Sequence, residues 1–394
     1  MTTDMLAETL DPADLINFDS LLSAQELALR AKVRNFVTES IKPNIASWYA
    51  DAVFPLEIVP EMAKLGLLGM HLKGYGCAGA SAVEYGLAGS ELEAGDSGLR
   101  TFVSVQGSLA MSAIHKHGSE EQKAEWLPRM ATGEAIGCFG LTEPTAGSDP
   151  SAMQTFARRD GHDWVLNGNK RWIGLANIAK VAVIWAQTDQ GIRGFVVPTD
   201  TAGFKATVIE QKLSMRASIQ CEIELTELRL PAKAVLPNVV GLKGPFSCLN
   251  EARYGIIWGA MGAARDSFED ALAYAKERMQ FDKPLAGYQM TQQKLVDMAL
   301  ELNKGYLLAL HIGRMKDAGT LDLHQISLGK LNNCREAIKI AREARTILGG
   351  NGITLQYSPL RHANNLESVR TYEGTDEVHT LILGNKLTGV PAFR

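Results

Sequence analysis

WVLNGNKRWI (164–173) is the segment on which the fold turns. Trp, Val and Ile at its ends suit a pleated, half-buried surface, and Asn167-Gly168 in its middle predicts a type I′ hairpin. Five segments of the same character surround it: IGCFGLT (136–142), VAVIWAQT (181–188), RGFVVPT (193–199), KATVIEQKL (205–213) and CEIELTELRL (221–230). Gly, Asp and Asn turns separate them at close spacing. That spacing predicts antiparallel strands in a small barrel or sandwich, not βαβ units.

On either side the period changes from two to three or four. AQELALRAKVRNFVTESI, LEIVPEMAKLGLLGM and GSEEQKAEWLPRMATG before Gly133 carry helical apolar spacing, with Ser119 as an N-cap followed by acids. From about Leu249 helix returns in QKLVDMALELNKGYLLALHIGRMKDAG and LGKLNNCREAIKIAREARTILGGNG, each closing on glycine. The wide stripes suit a helical bundle that can also pack on another subunit. The prediction is an α+β chain: an N-terminal helical domain (1–135), a middle small β-barrel or sandwich (136–244) and a C-terminal four-helix bundle (245–394).

At 394 residues the chain is long enough for two or three packed units. Apolar residues at 46%, charged residues at 21% and a net charge of −4 without a basic tract point away from nucleic acid and membrane surfaces. Cys77, Cys138, Cys221, Cys248 and Cys334 are scattered without a C-x-x-C pair, which fits a reducing compartment rather than zinc or a disulfide framework. No run approaches the ~20 apolar residues of a bilayer span. MTTDMLAETLDPADL and PAFR carry no secretory, transit or peroxisomal signal. The expectation is a cytoplasmic bacterial protein, or a mitochondrial-matrix one if a transit peptide has been removed.

Several motifs admit a chemical and a plain reading. In SVRTYEGTDEVHTLIL (368–383), Gly374 and Thr375 suit a helix cap, whereas Glu373 suits a general base. CFGLTEPTAGSD (138–149) offers hydroxyls at Thr142, Thr145 and Ser148 and flexible backbone at Gly147 to a polar ligand edge, or is a Pro-Gly loop. Trp172 and Ile173 form an apolar pair suited to a planar ring, or are core. Arg278, Phe281 and Gln289 flank the Pro284 connection and suit a phosphate and an aromatic ring, or a surface ion pair and a staple. LGGNG (348–352) lacks a βαβ context and is a helix C-cap that also allows close approach of a ligand. Arg100 lies among Leu99, Phe102 and Val103 and needs a partner, either Glu93 or an anionic substrate group.

Taken together, GCFGLTEPTAGSDPSAM, PFSCLNEARYGIIWG, RMQFDKPLAGYQMTQQKLVDM, LGGNGI and TYEGTDEVHTLILG resemble the signatures of the acyl-CoA dehydrogenase family, especially its glutaryl-CoA members, from about residue 20 onward. The resemblance implies non-covalent FAD. Phe139, Leu141, Thr142, Gly147 and Ser148, with Trp172, Ile173 and Gly174, would lie against the flavin. Arg278, Phe281, Gln289, Leu348, Gly349 and Gly350 would reach a neighbouring subunit's FAD, and Thr375 and Glu377 would also touch the cofactor. A shared cofactor implies a homotetramer. Phe246, Asn250 and Arg253 would hold the CoA thioester, assisted by Ser148, Thr101 and Gly374. Electron-transfer flavoprotein would be the acceptor.

In that frame Glu373 is the base that takes the Cα proton as hydride leaves Cβ, and its backbone N–H helps polarise the thioester carbonyl. Water expelled by substrate makes the carboxylate more basic. Arg100, with Glu93 and Tyr372, would pair with the far carboxylate of a five-carbon diacid, which then leaves as CO2 to give crotonyl-CoA. Three departures stand out. Gly174 replaces the usual Thr or Ser near flavin N5, Thr101 replaces Ser, and HLKGYGCAGA (71–80) differs from the usual loop. They leave the α,β-oxidation intact but leave acceptor and substrate open to an oxidase or a dehydrogenase of another acyl thioester. The alternative of another class is a non-catalytic flavin-binding member, against which Glu373, Arg100, Glu93 and Tyr372 argue.

Overall fold

The computed structural model describes residues 10–12 and 14–393. In chain order the helices are α1 (Ala24–Phe36), α2 (Ile45–Asp51), α3 (Val59–Lys64), α4 (Ala82–Gly95), α5 (Ser97–Val103), α6 (Ser112–His117) and α7 (Glu120–Ala131). Strands β1 (Gly137–Gly140), β2 (Phe156–Asp160), β3 (Asp163–Gly174), β4 (Val181–Ala186), β5 (Arg193–Pro198), β6 (Phe204–Val208) and β7 (Gln220–Leu230) follow. Helix α8 (Lys243–Glu277), a short hairpin of β8 (Met279–Gln280) and β9 (Lys283–Pro284), α9 (Gln289–Asp317), α10 (Leu323–Ile347), α11 (Pro359–Val369) and α12 (Asp376–Thr388) complete the chain. Four starts are written in the sequence as reciprocal capping boxes: Ser23 with Glu26, Ser81 with Glu84, Ser119 with Gln122, and Asp322 with Gln325.

By contacts the described chain falls into two compact units, one of 1–50, 81–100 and 254–394, the other of 51–80 and 101–253. The first is helical. Its core joins Ile256, Ala260, Phe268 and Ala271 of α8, Met298 and Leu302 of α9, Cys334, Ile338 and Ala341 of α10, and Leu366 and Val369 of α11. Two carboxylates are also buried there with partners: Glu91 meets Arg34 and Arg265, and Asp96 accepts from Arg361 and Asn365. Burying such charges is tolerable only because each is paired.

The second unit holds the sheets, ordered β1-β4-β5 and β2-β3-β7-β6. Strand β4 is buried on both faces, as an unbroken apolar run requires. Val181, Val183 and Trp185 join a core with Ile114, Leu127 and Met130 from the helical segments, whereas Ala182 and Ile184 join Leu166, Phe195, Ile223 and Leu228 from both sheets.

Two expectations are corrected. First, β1 pairs with β4 in parallel. The β2–β3 hairpin between them belongs to the other sheet, and that excursion is long enough to return the chain in the same direction. Second, Asn167-Gly168 makes no hairpin. It lies inside β3, at a register shift against β7. Gly168 has φ 143°, and a Cβ there would stand 2.6 Å from the Thr155 backbone, so the position needs glycine, and Asn167 exchanges bonds with Glu227 at 2.6 and 2.8 Å. The β2–β3 turn falls at 160–163 instead, with Gly161 at φ 63°. Among the described residues no helix is long and apolar enough to cross a membrane.

Candidate active site

Within the helical unit, α11 ends at Val369 and the chain turns through two consecutive residues of positive φ, Glu373 at 59° and Gly374 at 94°. Thr375 then caps α12, its hydroxyl accepting from the Val378 N–H at 3.3 Å, and Asp376 and Glu377 complement the helix dipole. Capping therefore accounts for Thr375 and the acids after it. It does not account for Glu373, because a left-handed non-glycine residue costs about 1–3 kcal/mol.

The surroundings hold that turn. The Lys330 ammonium of α10, 1% exposed, donates to the carbonyls of Tyr372 at 2.8 Å and Gly374 at 2.6 Å. Asp376 accepts from Arg335 at 3.3 Å and from Arg370 Nε at 3.1 Å. The Tyr372 hydroxyl accepts from Arg100 Nη2 at 2.6 Å, and Arg100 Nε donates to Glu93 Oε2 at 2.5 Å. Arg100 is 2% exposed and Glu93 fully buried. Burial works against the guanidinium's charge, but the Glu93 carboxylate beside it and the Tyr372 oxygen outweigh burial and hold the pKa above its ordinary value. Buried Glu93 Oε1 has no hydrogen-bond partner among the described residues. Gly259 of α8 makes the room, since a Cβ there would lie 1.9 Å from Glu93 Oε2. Thus Glu93, Arg100, Tyr372, Glu373 and Gly374 come together.

A second cluster in this unit gathers the other candidates. Arg278 and Gln289 are exposed, and Phe281 is 90% exposed beside the β8–β9 hairpin. Asn351 donates to the Tyr274 hydroxyl at 3.1 Å, tying the exposed glycines Gly349 and Gly350 to α8 one turn before Arg278. Leu348 is buried at the end of α10. These described bonds run to α8, not to Glu373.

In the sheet-bearing unit the turn after β1 is fixed from beneath. Lys170 of β3, fully buried, donates to Leu141 O at 3.1 Å and to Glu143 at 2.7 Å. Glu143 in turn accepts from the N–H groups of Gln154 and Thr155 at 2.5 and 3.0 Å. Burial draws the Lys170 ammonium down to about 8 even with Glu143 beside it. The Arg171 N–H donates to Thr142 O at 2.9 Å, bringing the turn beside Trp172. Trp172 is 52% exposed at φ 64°, while Ile173, Phe139 and Leu141 are buried. The apolar pair is therefore split across the strand, and one ring alone is presented. Gly147 and Ser148 are exposed, with open space beside Gly147. A Cβ on Gly174 would meet Val105 at 3.5 Å, an ordinary contact, so packing does not forbid a side chain there. On the 246–253 segment, Phe246 is exposed and Asn250 Oδ1 accepts from Arg253 at 3.2 Å. Thr101 is half-buried.

Sequence reasoning missed Lys330, Gly259 and the Lys170–Glu143 pair. Lys330 had a legible signal. It stands four residues after Ile326 and four before Cys334, on the buried stripe of α10. Among the described residues no cluster of His, Cys, Asp or Glu suits a metal ion.

Comparison with known proteins agrees with this geometry. Models of the acyl-CoA dehydrogenase N-terminal, middle and C-terminal domains match residues 23–134, 138–228 and 241–388. A glutaryl-CoA dehydrogenase from Mycobacterium smegmatis, solved in complex with FADH2, is 62% identical with a TM-score of 0.97, over 98% of this chain and 100% of that one. Human mitochondrial short-chain specific acyl-CoA dehydrogenase is 35% identical over 361 residues, 90% of this chain and 88% of that one. The short-chain specific acyl-CoA dehydrogenase of Clostridium acetobutylicum is 33% identical over 380 residues, 94% of this chain and 99% of that one. Matched in three successive segments along nearly its whole length, the chain belongs to the acyl-CoA dehydrogenase family.

Proposed function

We propose that this protein is an FAD-dependent dehydrogenase that oxidises glutaryl-CoA at Cα–Cβ and releases CO2 to leave crotonyl-CoA, passing electrons to electron-transfer flavoprotein. The observation that carries the reading is Arg100. It is a buried guanidinium held by Glu93 on one side and Tyr372 on the other, one residue from Glu373, and Nη1 has no described bond. Such a group suits the far carboxylate of a short diacid, which it can meet with charge-assisted bonds. A plain acyl chain gives it nothing to pair with. The likeness to the mycobacterial glutaryl-CoA dehydrogenase supports the same choice.

The residues fit a flavin. Trp172 offers one exposed ring face, and the Thr142–Ser148 turn beside it has hydroxyls and backbone open to a polar edge. Phe139, Leu141, Ile173 and Gly174 would back that surface. Arg278, Phe281, Gln289 and the Leu348–Gly350 turn would serve a neighbouring subunit's FAD in a homotetramer, joined by Thr375 and Glu377. FAD, when bound, accepts the hydride leaving Cβ. Glu373 removes the Cα proton, and its backbone N–H donates to the thioester oxygen as negative charge develops there. Phe246, Asn250, Arg253, Thr101 and Ser148 would hold and orient the CoA thioester. Loss of CO2 from the unsaturated diacid leaves a dienolate, and Glu373 returns its proton to the terminal carbon. The domain bounds that go with this reading are 1–135, 136–244 and 245–394.

Gly174 favours one second reading, oxygen as acceptor, because packing against Val105 does not require the hydroxyl's loss. Anaerobic incubation with glutaryl-CoA and an artificial acceptor, followed by mass spectrometry, tests the first reading. Crotonyl-CoA is expected, glutaconyl-CoA would remove the decarboxylation, and turnover of butyryl-CoA alone would make Arg100 structural. Peroxide formed at the rate of turnover in air would replace the flavoprotein acceptor by oxygen.

A further inference from the structure

We infer that Lys330 is a positioning residue for Glu373, clamping the backbone on both sides of the base so that its carboxylate is aimed. This rests on the role proposed for Glu373. Lys330 lies on the buried stripe of α10 at 1% exposure, where an ammonium is expensive to keep. Its described hydrogen bonds go to main-chain oxygens, Tyr372 O at 2.8 Å and Gly374 O at 2.6 Å. Those carbonyls flank Glu373, whose φ of 59° is otherwise disfavoured for a residue with a side chain. Fixing the peptide planes before and after the pair fixes the direction in which the Glu373 side chain leaves the chain.

A purely structural role would need no charge. Asn333, on the same helix, satisfies the buried carbonyls of Ile257 and Gly305 at 2.8 and 3.1 Å with a neutral amide. Lys330 does comparable backbone work with an ammonium, and does it beyond the end of α11, around one residue. The neighbouring cations are engaged elsewhere. Arg335 and Arg370 bond Asp376, and Arg100 bonds Glu93 and Tyr372. Other titratable groups on these elements are His324, Cys334, Glu336, Lys339, Arg342, Glu343 and Arg345 on α10, Arg361, His362 and Glu367 on α11, and Glu377, His379 and Lys386 on α12. The same Tyr372 thus links the proposed specificity pair to the clamp, through its hydroxyl to Arg100 and its carbonyl to Lys330.

The test isolates the base. Holoenzyme is given an acyl-CoA with sulfur in place of Cβ, which can exchange its Cα protons with deuterated water but cannot be oxidised there. Exchange is followed beside kcat, KM and melting temperature in Lys330→Met, Lys330→Arg and Glu373→Gln. Misaiming a catalytic group costs about 100-fold. Lys330→Met is therefore expected to lose about 100-fold in exchange and kcat with KM within about threefold. Lys330→Arg, which keeps charge and donors, is expected to recover at least about tenfold of that loss. Exchange in Lys330→Met within about threefold of the parent would overturn the inference, as would equal losses in the Met and Arg variants. If Lys330→Met does not fold, Lys330→Gln keeps a neutral donor and is expected to lose exchange as well; full exchange there would show the charge to be idle and the inference wrong. Retained exchange in Glu373→Gln would instead remove the base assignment itself, whatever the Lys330 variants do.

Discussion

Replacing Gly259 by Ala adds one methyl group at the most crowded point of the Arg100 pair. The new Cβ would stand 1.9 Å from Glu93 Oε2 and 3.0 Å from Arg100 Nε, whereas ordinary contact begins at 3.4 Å. The carboxylate tip must therefore retreat by about 1.5 Å, the difference between 3.4 and 1.9 Å. It is the end of a side chain, so α8 itself can stay in place. Glu93 is fully buried, however, and no solvent receives the displaced oxygen. Overpacking of this kind costs about 1–3 kcal/mol, less than the about 3–5 kcal/mol lost when a buried pair is broken outright. The functional effect is larger and selective. An Arg100 released from its 2.5 Å bond is mis-set by about an ångström, which costs about 100-fold in kcat/KM on glutaryl-CoA. Butyryl-CoA has no far carboxylate and is expected to stay within about threefold. The assay is kcat/KM on both thioesters with one artificial acceptor, beside a thermal melt. Equal losses on the two substrates would refute the reasoning, because they would mean a distorted helix rather than a displaced pair. Unchanged glutaryl-CoA turnover would refute it too.

Other outcomes follow from single groups. Glu373→Gln keeps shape and removes the base, so turnover is expected to fall by about 10²–10⁴-fold while bound flavin, read by visible absorbance, is retained. Trp172→Ala removes a ring that is 52% exposed. Melting temperature should therefore hardly move, within about 0.5 kcal/mol of stability, while the fraction of protein purified with flavin drops. Glu91 contributes a pH dependence of its own. Burial alone would raise its pKa, but Arg265 and Arg34 outweigh burial and pull it down to about 2. Its stabilisation is thus present above the ordinary carboxylate value near 4.5 and is lost as pH falls toward 2. Glu91→Gln is expected to lose about 3–5 kcal/mol at pH 7 and to show a flatter urea midpoint between pH 4.5 and 2 than the parent.

Much of the fold was legible because it is written in neighbouring residues. The apolar run of β4, the N-cap at Ser119, and the helical stripes of α9 and α10 each depend on contacts within a few positions. So did the demand that Arg100 find a partner, and Glu93 lies only seven residues away. Where the reading failed, the deciding neighbour was remote. Asn167-Gly168 has the composition of a turn, but the Thr155 backbone and Glu227, brought alongside by β2 and β7, make it a register shift within a strand. The parallel β1–β4 pair depends on where an excursion into a second sheet returns.

The candidate site divides in the same way. The sequence by itself determined the helix–sheet–helix order, the capped turn around Glu373 and the need to neutralise Arg100, because local periodicity and the cost of a bare charge act on adjacent residues. Only the tertiary structure decided that Tyr372, 272 residues away, meets Arg100, that Lys330 clamps the carbonyls around Glu373, and that Gly259 leaves room for Glu93. Those contacts exist only once separate helices pack, and no residue carries in its own neighbourhood the identity of what will be packed against it.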